Sequence, residues 1–227
     1  MKYSRIFLLV AIMLCFVTKS FSQKGNYDIV NGFGIFGGIT KIDITTDNFI
    51  TTKGDGFMGG MSATVDIPHR WYNMSFGMQL SESTISILGR PTASSTTNEF
   101  VDYKFFATQL ALMGHIKLAG SYVTLDVGPM LQYNSRLEID NEAQESYFIN
   151  NYDNLLASDI SNISQFNLNG AVGITAGFKF LKLRAHYIYG ATNLLKKLES
   201  EDIDTSGGDS RFKGNMTMLV FGAMLSF

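Results

Sequence analysis

From residue 57 to the end of the chain, apolar side chains recur at every second position in segment after segment. The positions between them are polar, charged or glycine. In residues 57–67 one face holds Phe57, Gly59, Met61, Ala63, Val65 and Ile67, and the other holds Met58, Gly60, Ser62, Thr64 and Asp66. Residues 72–80 set Tyr72, Met74, Phe76, Met78 and Leu80 against Asn73, Ser75, Gly77 and Gln79. The alternation continues through 109–118, 123–134, 167–180 and 182–190. A period of two is the mark of a strand whose two faces meet different surroundings.

Two further segments extend the series. Residues 215–227 are extended, free of charge, apolar on both faces and end on Phe227, while 31–45 read as a glycine-rich strand whose alternation slips after Lys41. The connections at 68–70, 119–121 and 180–182 are short; those at 46–54, 82–98, 138–165 and 196–212 are long. After the N-terminal region, no stretch offers the run of about 20 apolar residues that a membrane helix needs. Yet 45% of the chain is hydrophobic and 13% aromatic. A closed barrel also crosses a bilayer, because every backbone polar group pairs with a neighbouring strand. Its strands run about ten residues, with short turns on one side and long loops on the other. The expected fold is therefore all-β: an eight-stranded antiparallel transmembrane β-barrel of the outer-membrane type, spanning 23–227, with both ends periplasmic and the long loops outside. The soluble alternative is a lipocalin-like barrel or β-sandwich with its apolar residues inward.

The N-terminus supports the membrane barrel. Lys2 and Arg5 precede an apolar run over 6–17, and Ser20-Phe21-Ser22 supplies a small-x-small cleavage pattern. These are the parts of a secretory signal peptide, expected at 1–22 with the cut after Ser22. The run is too short for a membrane anchor, the competing reading. The one cysteine, Cys15, falls inside it, which leaves the mature chain without disulfides, thiolate metal ligands or a thiol nucleophile. Met13 and Leu14 before Cys15 do not make a lipobox. A net charge of −2 gives no footprint for nucleic acid.

Two stretches, 103–137 and 166–195, resemble a known family. The residues that carry the likeness are 109–117 (Gln-Leu-Ala-Leu-Met-Gly-His-Ile-Lys), then Val127-Gly128-Pro129 followed by Tyr133. The second set is 176–180 (Ala-Gly-Phe-Lys-Phe), followed by Arg184 and a strand that ends Tyr189-Gly190-Ala191-Thr192-Asn193. The chain is similar in these patterns to the PorT-like outer-membrane β-barrel family of Gram-negative bacteria, in which Ala191 is commonly Leu. The resemblance implies an integral outer-membrane barrel and, through some relatives, a link to protein secretion and gliding machinery.

The polar face carries Asp66, His115, Lys117, Asp126, Lys179, Lys182, Arg184 and His186, all near the short turns. They are expected to gather in the periplasmic half of a lumen just wide enough to be filled by side chains, as a paired charge network. A catalytic reading would use Asp126 and His186 with Ser62, Ser75 or Thr124 as nucleophile, but no Gly-x-Ser-x-Gly element is present. No catalytic residue is assigned. The three histidines, His69, His115 and His186, lack ligand spacing, and neither a metal nor another cofactor is expected.

Loop 138–165 offers binding candidates. It holds Glu138, Asp140, Glu142, Glu145, Asp153 and Asp159 with no Lys or Arg, interleaved with Tyr147 and Tyr152. Acid beside aromatics suits a basic partner or a divalent cation bridging to lipopolysaccharide; the alternative is that the aromatics cap the mouth. The expected partners are outer-membrane lipids, lipopolysaccharide and proteins of the envelope or secretion machinery. The expected function is a structural or binding barrel without an open pore, with a narrow channel for ions or small solutes as the alternative. An outer-membrane hydrolase ranks behind both.

Overall fold

The computed structural model describes residues 30–66 and 69–227. The expected signal peptide, its cut after Ser22, and Ile67 and Pro68 of the first short turn lie outside these residues. Eight long strands make the wall: β1 (Val30–Thr46), β2 (Gly54–Asp66), β3 (Tyr72–Arg90), β4 (Glu99–Ala119), β5 (Val123–Asn134), β6 (Phe166–Gly177), β7 (Leu181–Gly190) and β8 (Gly214–Ser226). Each pairs antiparallel with its neighbours in the chain. β8 then closes on β1, from Gly34 opposite Ser226 to Thr46 opposite Gly214. No open edge is left.

The wall is apolar on the outside. Phe57, Phe76, Leu112, Leu131, Val172, Leu183 and Phe221, which come from seven different strands, are 47–65% exposed. Water does not tolerate an apolar belt that encircles a molecule, whereas hydrocarbon does, provided that the backbone is paired internally. The protein is a membrane-spanning barrel of the Gram-negative outer-membrane type. Aromatic pairs sit at both ends of the belt: Trp71 against Tyr72 and Tyr122 against Phe178 beside the short turns, and Tyr133 against Phe166 toward the long loops. Such girdles anchor a barrel at the two interfaces.

The alternation does not stop at the membrane boundary. It changes sign. Along β3 the outward positions are Met74, Phe76, Met78 and Leu80, then Glu82, Thr84 and Ser86; the inward ones are Ser75, Gln79, Ser81 and Ser83, then the fully buried Ile85 and Ile87. β4 mirrors this, with Val101, Tyr103 and Phe105 buried beyond the membrane and Gln109 and His115 buried within it. In β1, Ile42 and Ile44 turn inward while Lys41 and Asp43 turn out, which explains the slip after Lys41. An exposed Lys41–Asp55 ion pair at 2.8 Å marks the level of the change. Outside hydrocarbon, the outer face must be wet and the inner face can be dry.

This corrects the expected loop 82–98. Most of it is strand: β3 runs to Arg90, β4 starts at Glu99, and only 91–98 join them. The hairpin stands above the membrane and supplies one wall of an external cap. Residues 135–165 and 191–213 fold over the mouth and supply the rest, burying Ile149, Leu155, Ile160, Ile163, Leu198 and Phe212 against the inverted strand faces. The Tyr103 hydroxyl donates to the Ala157 carbonyl at 3.0 Å. Asn48 Nδ2 donates to the Arg211 carbonyl and the Tyr152 hydroxyl, which itself donates to the Asp209 carbonyl. These bonds satisfy the polar groups that the dry cap would otherwise strand.

Candidate site in the barrel lumen

One register row builds the centre of the periplasmic half. Asn73, His115, Asp126, Gly173, His186 and Val220 lie opposite one another on successive strands. Asp126 is fully buried and accepts from four donors. His115 Nδ1 and Thr124 Oγ1 reach Oδ1 at 2.7 Å each, His186 Nε2 reaches Oδ2 at 2.8 Å, and Thr175 Oγ1 also donates to Oδ2. Gly173 makes the arrangement possible. A Cβ there would lie 2.3 Å from both the His186 ring and the Ala185 carbonyl oxygen, so only glycine lets His186 lean across β6 to a carboxylate on β5.

The remaining sequence candidates divide into separate groups. Lys117 binds Asp66 at 2.7 Å near the periplasmic end, and Ser121 Oγ donates to the other Asp66 oxygen at 3.1 Å. Arg184 is buried without a carboxylate contact: its guanidinium lies 4.9 Å from the Phe36 ring centroid, with Nη2 3.5 Å from Met224 Sδ. Lys179 and Lys182 do not join the bonded network that was expected to contain them. Lys179 is exposed in the β6–β7 turn, and Lys182, one inward position below Arg184, reaches only the mouth. The physical reason is height: both lie at the end of a strand, where the lumen opens to water.

A second layer was not anticipated. Gln132 Oε1 accepts from Gln109 Nε2 and from Asn169 Nδ2 at 2.7 Å each, and Gln132 Nε2 donates to Asn134 Oδ1 at 2.6 Å. These amides separate the charged layer from the apolar cap. Their signal was present as neutral polar residues at inward positions, but attention to charge alone passes over it.

Ser75 adds chemistry to the first layer. Its Oγ lies 2.7 Å from His115 Nε2, whose Nδ1 is held by Asp126. This is the order of a serine–histidine–aspartate relay. Acyl transfer also needs donors aimed at the developing oxyanion. The backbone around Ser75 is committed to the ladder, with Thr64 and Met113 opposite it, and Ser75 is 5% exposed. Among the described residues, no group of three or more His, Asp or Glu is placed to hold a metal ion.

The loop candidates also separate. Glu138, Glu142, Glu145 and Asp153 are exposed, and Asp140 is exposed and paired with Lys104. Asp159 closes a short 3₁₀ turn by accepting from the Leu156 N–H at 3.0 Å. The Tyr147 hydroxyl donates to Glu99 at 3.1 Å. Tyr152 is buried in the cap, and burial pushes its hydroxyl above the ordinary tyrosine value.

No protein-family profile matches the chain, and no curated protein matches it. Among solved structures, the chain is similar in shape to Neisserial surface protein A (14% identity, TM-score 0.48), with 86% of this chain and 97% of that one covered. It is also similar to Ail, the attachment invasion locus protein of Yersinia pestis (13%, 0.40; 87% and 99% covered). A third is the outer membrane protein OprG from Pseudomonas aeruginosa (10%, 0.43; 88% and 98% covered).

Proposed function

We propose that this is a closed, non-conducting outer-membrane barrel of structural and binding type, whose external cap presents the recognition surface. The observation that carries the reading is the filling of the interior from the level of Asp126 to the external mouth. A charged layer around Asp126, an amide layer around Gln132 and a dry cap around Tyr103 and Phe212 succeed one another. A water path would have to cross all three. The exposed acids Glu138, Glu142, Glu145 and Asp153 give the cap a negative edge suited to a basic partner, or to divalent cations bridging to lipopolysaccharide. The PorT-like strand patterns favour the envelope or secretion machinery as the source of a protein partner. The Ser75–His115–Asp126 relay serves to position side chains.

Planar-bilayer recording of the refolded mature protein, with heat-modifiable gel migration to verify folding, tests this reading. Silence from folded protein is expected. A steady, salt-dependent single-channel current would replace it with the narrow-channel alternative.

A further inference from the structure

The periplasmic end of the lumen is not filled like the rest. A cavity of about 560 Å³ opens there between the ends of β1, β2, β7 and β8, within the range of sites that take small molecules. Met224 supplies inward apolar wall, and the outward-turned Phe33 and Tyr122 border the rim with Phe227. The charges on its lining are unequal. Asp66 is already engaged by Lys117 and Ser121, whereas Lys179 and Lys182 face the space and form no ion pair among the described residues.

Two buried polar groups point the same way. Asn73 lines the cavity at 6% exposure, and its Oδ1 has no hydrogen-bond partner. Directly behind Met224, Arg184 is 8% exposed, and its Nε has no partner either. A buried amide oxygen and a buried guanidinium nitrogen without partners are costly features to keep. Asn73 lies where a ligand that enters past the two lysines would come to rest, and Arg184 stands behind Met224, outside the lining. Lys182 and Arg184 occupy successive inward positions of β7, so positive charge deepens from the rim inward.

We propose that this vestibule binds an anionic amphiphile: a carboxylate or phosphate head held by Lys179 and Lys182, a hydroxyl or amide donor satisfying Asn73, and an apolar body that lies against Met224 and emerges past Phe33 and Tyr122 at the rim. The inference concerns the periplasmic face and stands apart from the cap. Two sources share this chemistry, a lipid of the adjoining leaflet and a free phosphorylated or carboxylated small molecule.

The test uses the refolded mature protein in neutral maltoside micelles, with dansyl-undecanoic acid as the probe and a dansyl alkylamine of equal length as the control. Saturable one-site binding of the acid, and none of the amine, is expected. Lys179→Glu with Lys182→Glu should weaken the acid at least about tenfold, equivalent to about 1.4 kcal/mol. Asn73→Ala should weaken it with both lysines present, and Lys213→Glu at the opposite end should leave it unchanged. Displacement by inorganic phosphate would assign the site to free anions; displacement only by a lysophospholipid would assign it to lipid. Equal binding of acid and amine, undiminished binding to the folded double variant, or no binding of acid or phosphate to folded protein would overturn the proposal.

Discussion

The two halves of the interior are held together by opposite physics. The periplasmic half gathers charge around one carboxylate, and its stability depends on every donor finding Asp126. The external half is dry, built from branched aliphatic and aromatic side chains with only a few buried polar atoms, most of them matched, as the Tyr103 and Tyr152 hydroxyls are, and Asn150 Oδ1 left without a partner. The first kind fails abruptly when one member is removed, because the others are left as buried unpaired groups. The second fails by degrees, because each lost methyl group subtracts its own contacts.

Removing the hub should have the largest effect. Asp126→Ala strands His115, His186 and the nearby Arg184, and should lower unfolding stability by about 3–5 kcal/mol, read from urea midpoints in lipid vesicles. A loss no larger than that of a cap substitution would erase the contrast. Ile85→Ala opens a cavity in the cap and should cost about 2–5 kcal/mol locally. The segment 135–165 should then become protease-sensitive while heat-modifiable migration of the barrel persists. Simultaneous loss of both would mean that the two halves melt as one.

Smaller changes sharpen the picture. Gly173→Ala forces its Cβ against the His186 ring and the Ala185 carbonyl, and should cost about 1–3 kcal/mol, with the imidazole resonances of His186 shifted more than those of His115. Ser75→Ala removes one hydrogen bond to His115, worth about 1 kcal/mol. Wild-type protein should resist fluorophosphonate labelling; a Ser75 adduct would promote the relay from scaffold to nucleophile. The smallest effect belongs to Asp204. Its carboxyl is held below the usual range by hydrogen bonds from Ser206 and Asn154, which tie the two cap loops together. A depressed folded value means that the tie helps above the ordinary carboxylate range and is lost as pH falls through and below it. Ser206 amide protection should drop as pH falls through and below the ordinary carboxylate range, and Asp204→Asn should flatten that dependence.

The wall was legible because lipid imposes a strict alternation, and the faces read for 57–66, 72–80, 109–118, 123–134, 168–177 and 182–190 are the faces observed. The hairpin above the membrane was not. Ile85, Ile87, Val101 and Tyr103 keep the period of two but face inward, so a reading that equates apolar with outward sees a loop where strand continues. In loop 138–165, Tyr152 serves as core, in line with the alternative in which the loop's aromatics cap the mouth rather than with a binding role. Which acid, histidine and hydroxyl meet depends on register across five strands, and Asp126 finds His186 only through the gap left by Gly173. Local pattern carries no information about that encounter.

The reversal of polarity along β1, β3 and β4 also restricts how such a barrel can change length. One residue inserted between Leu80 and Glu82 would exchange the two faces of everything beyond it, turning Ile85 and Ile87 out to water and Thr84 and Ser86 into the dry cap. Two residues would preserve both faces and merely raise the hairpin. The height of the cap can therefore drift over evolution only in pairs of residues, and an odd-numbered change must be absorbed at once by a bulge.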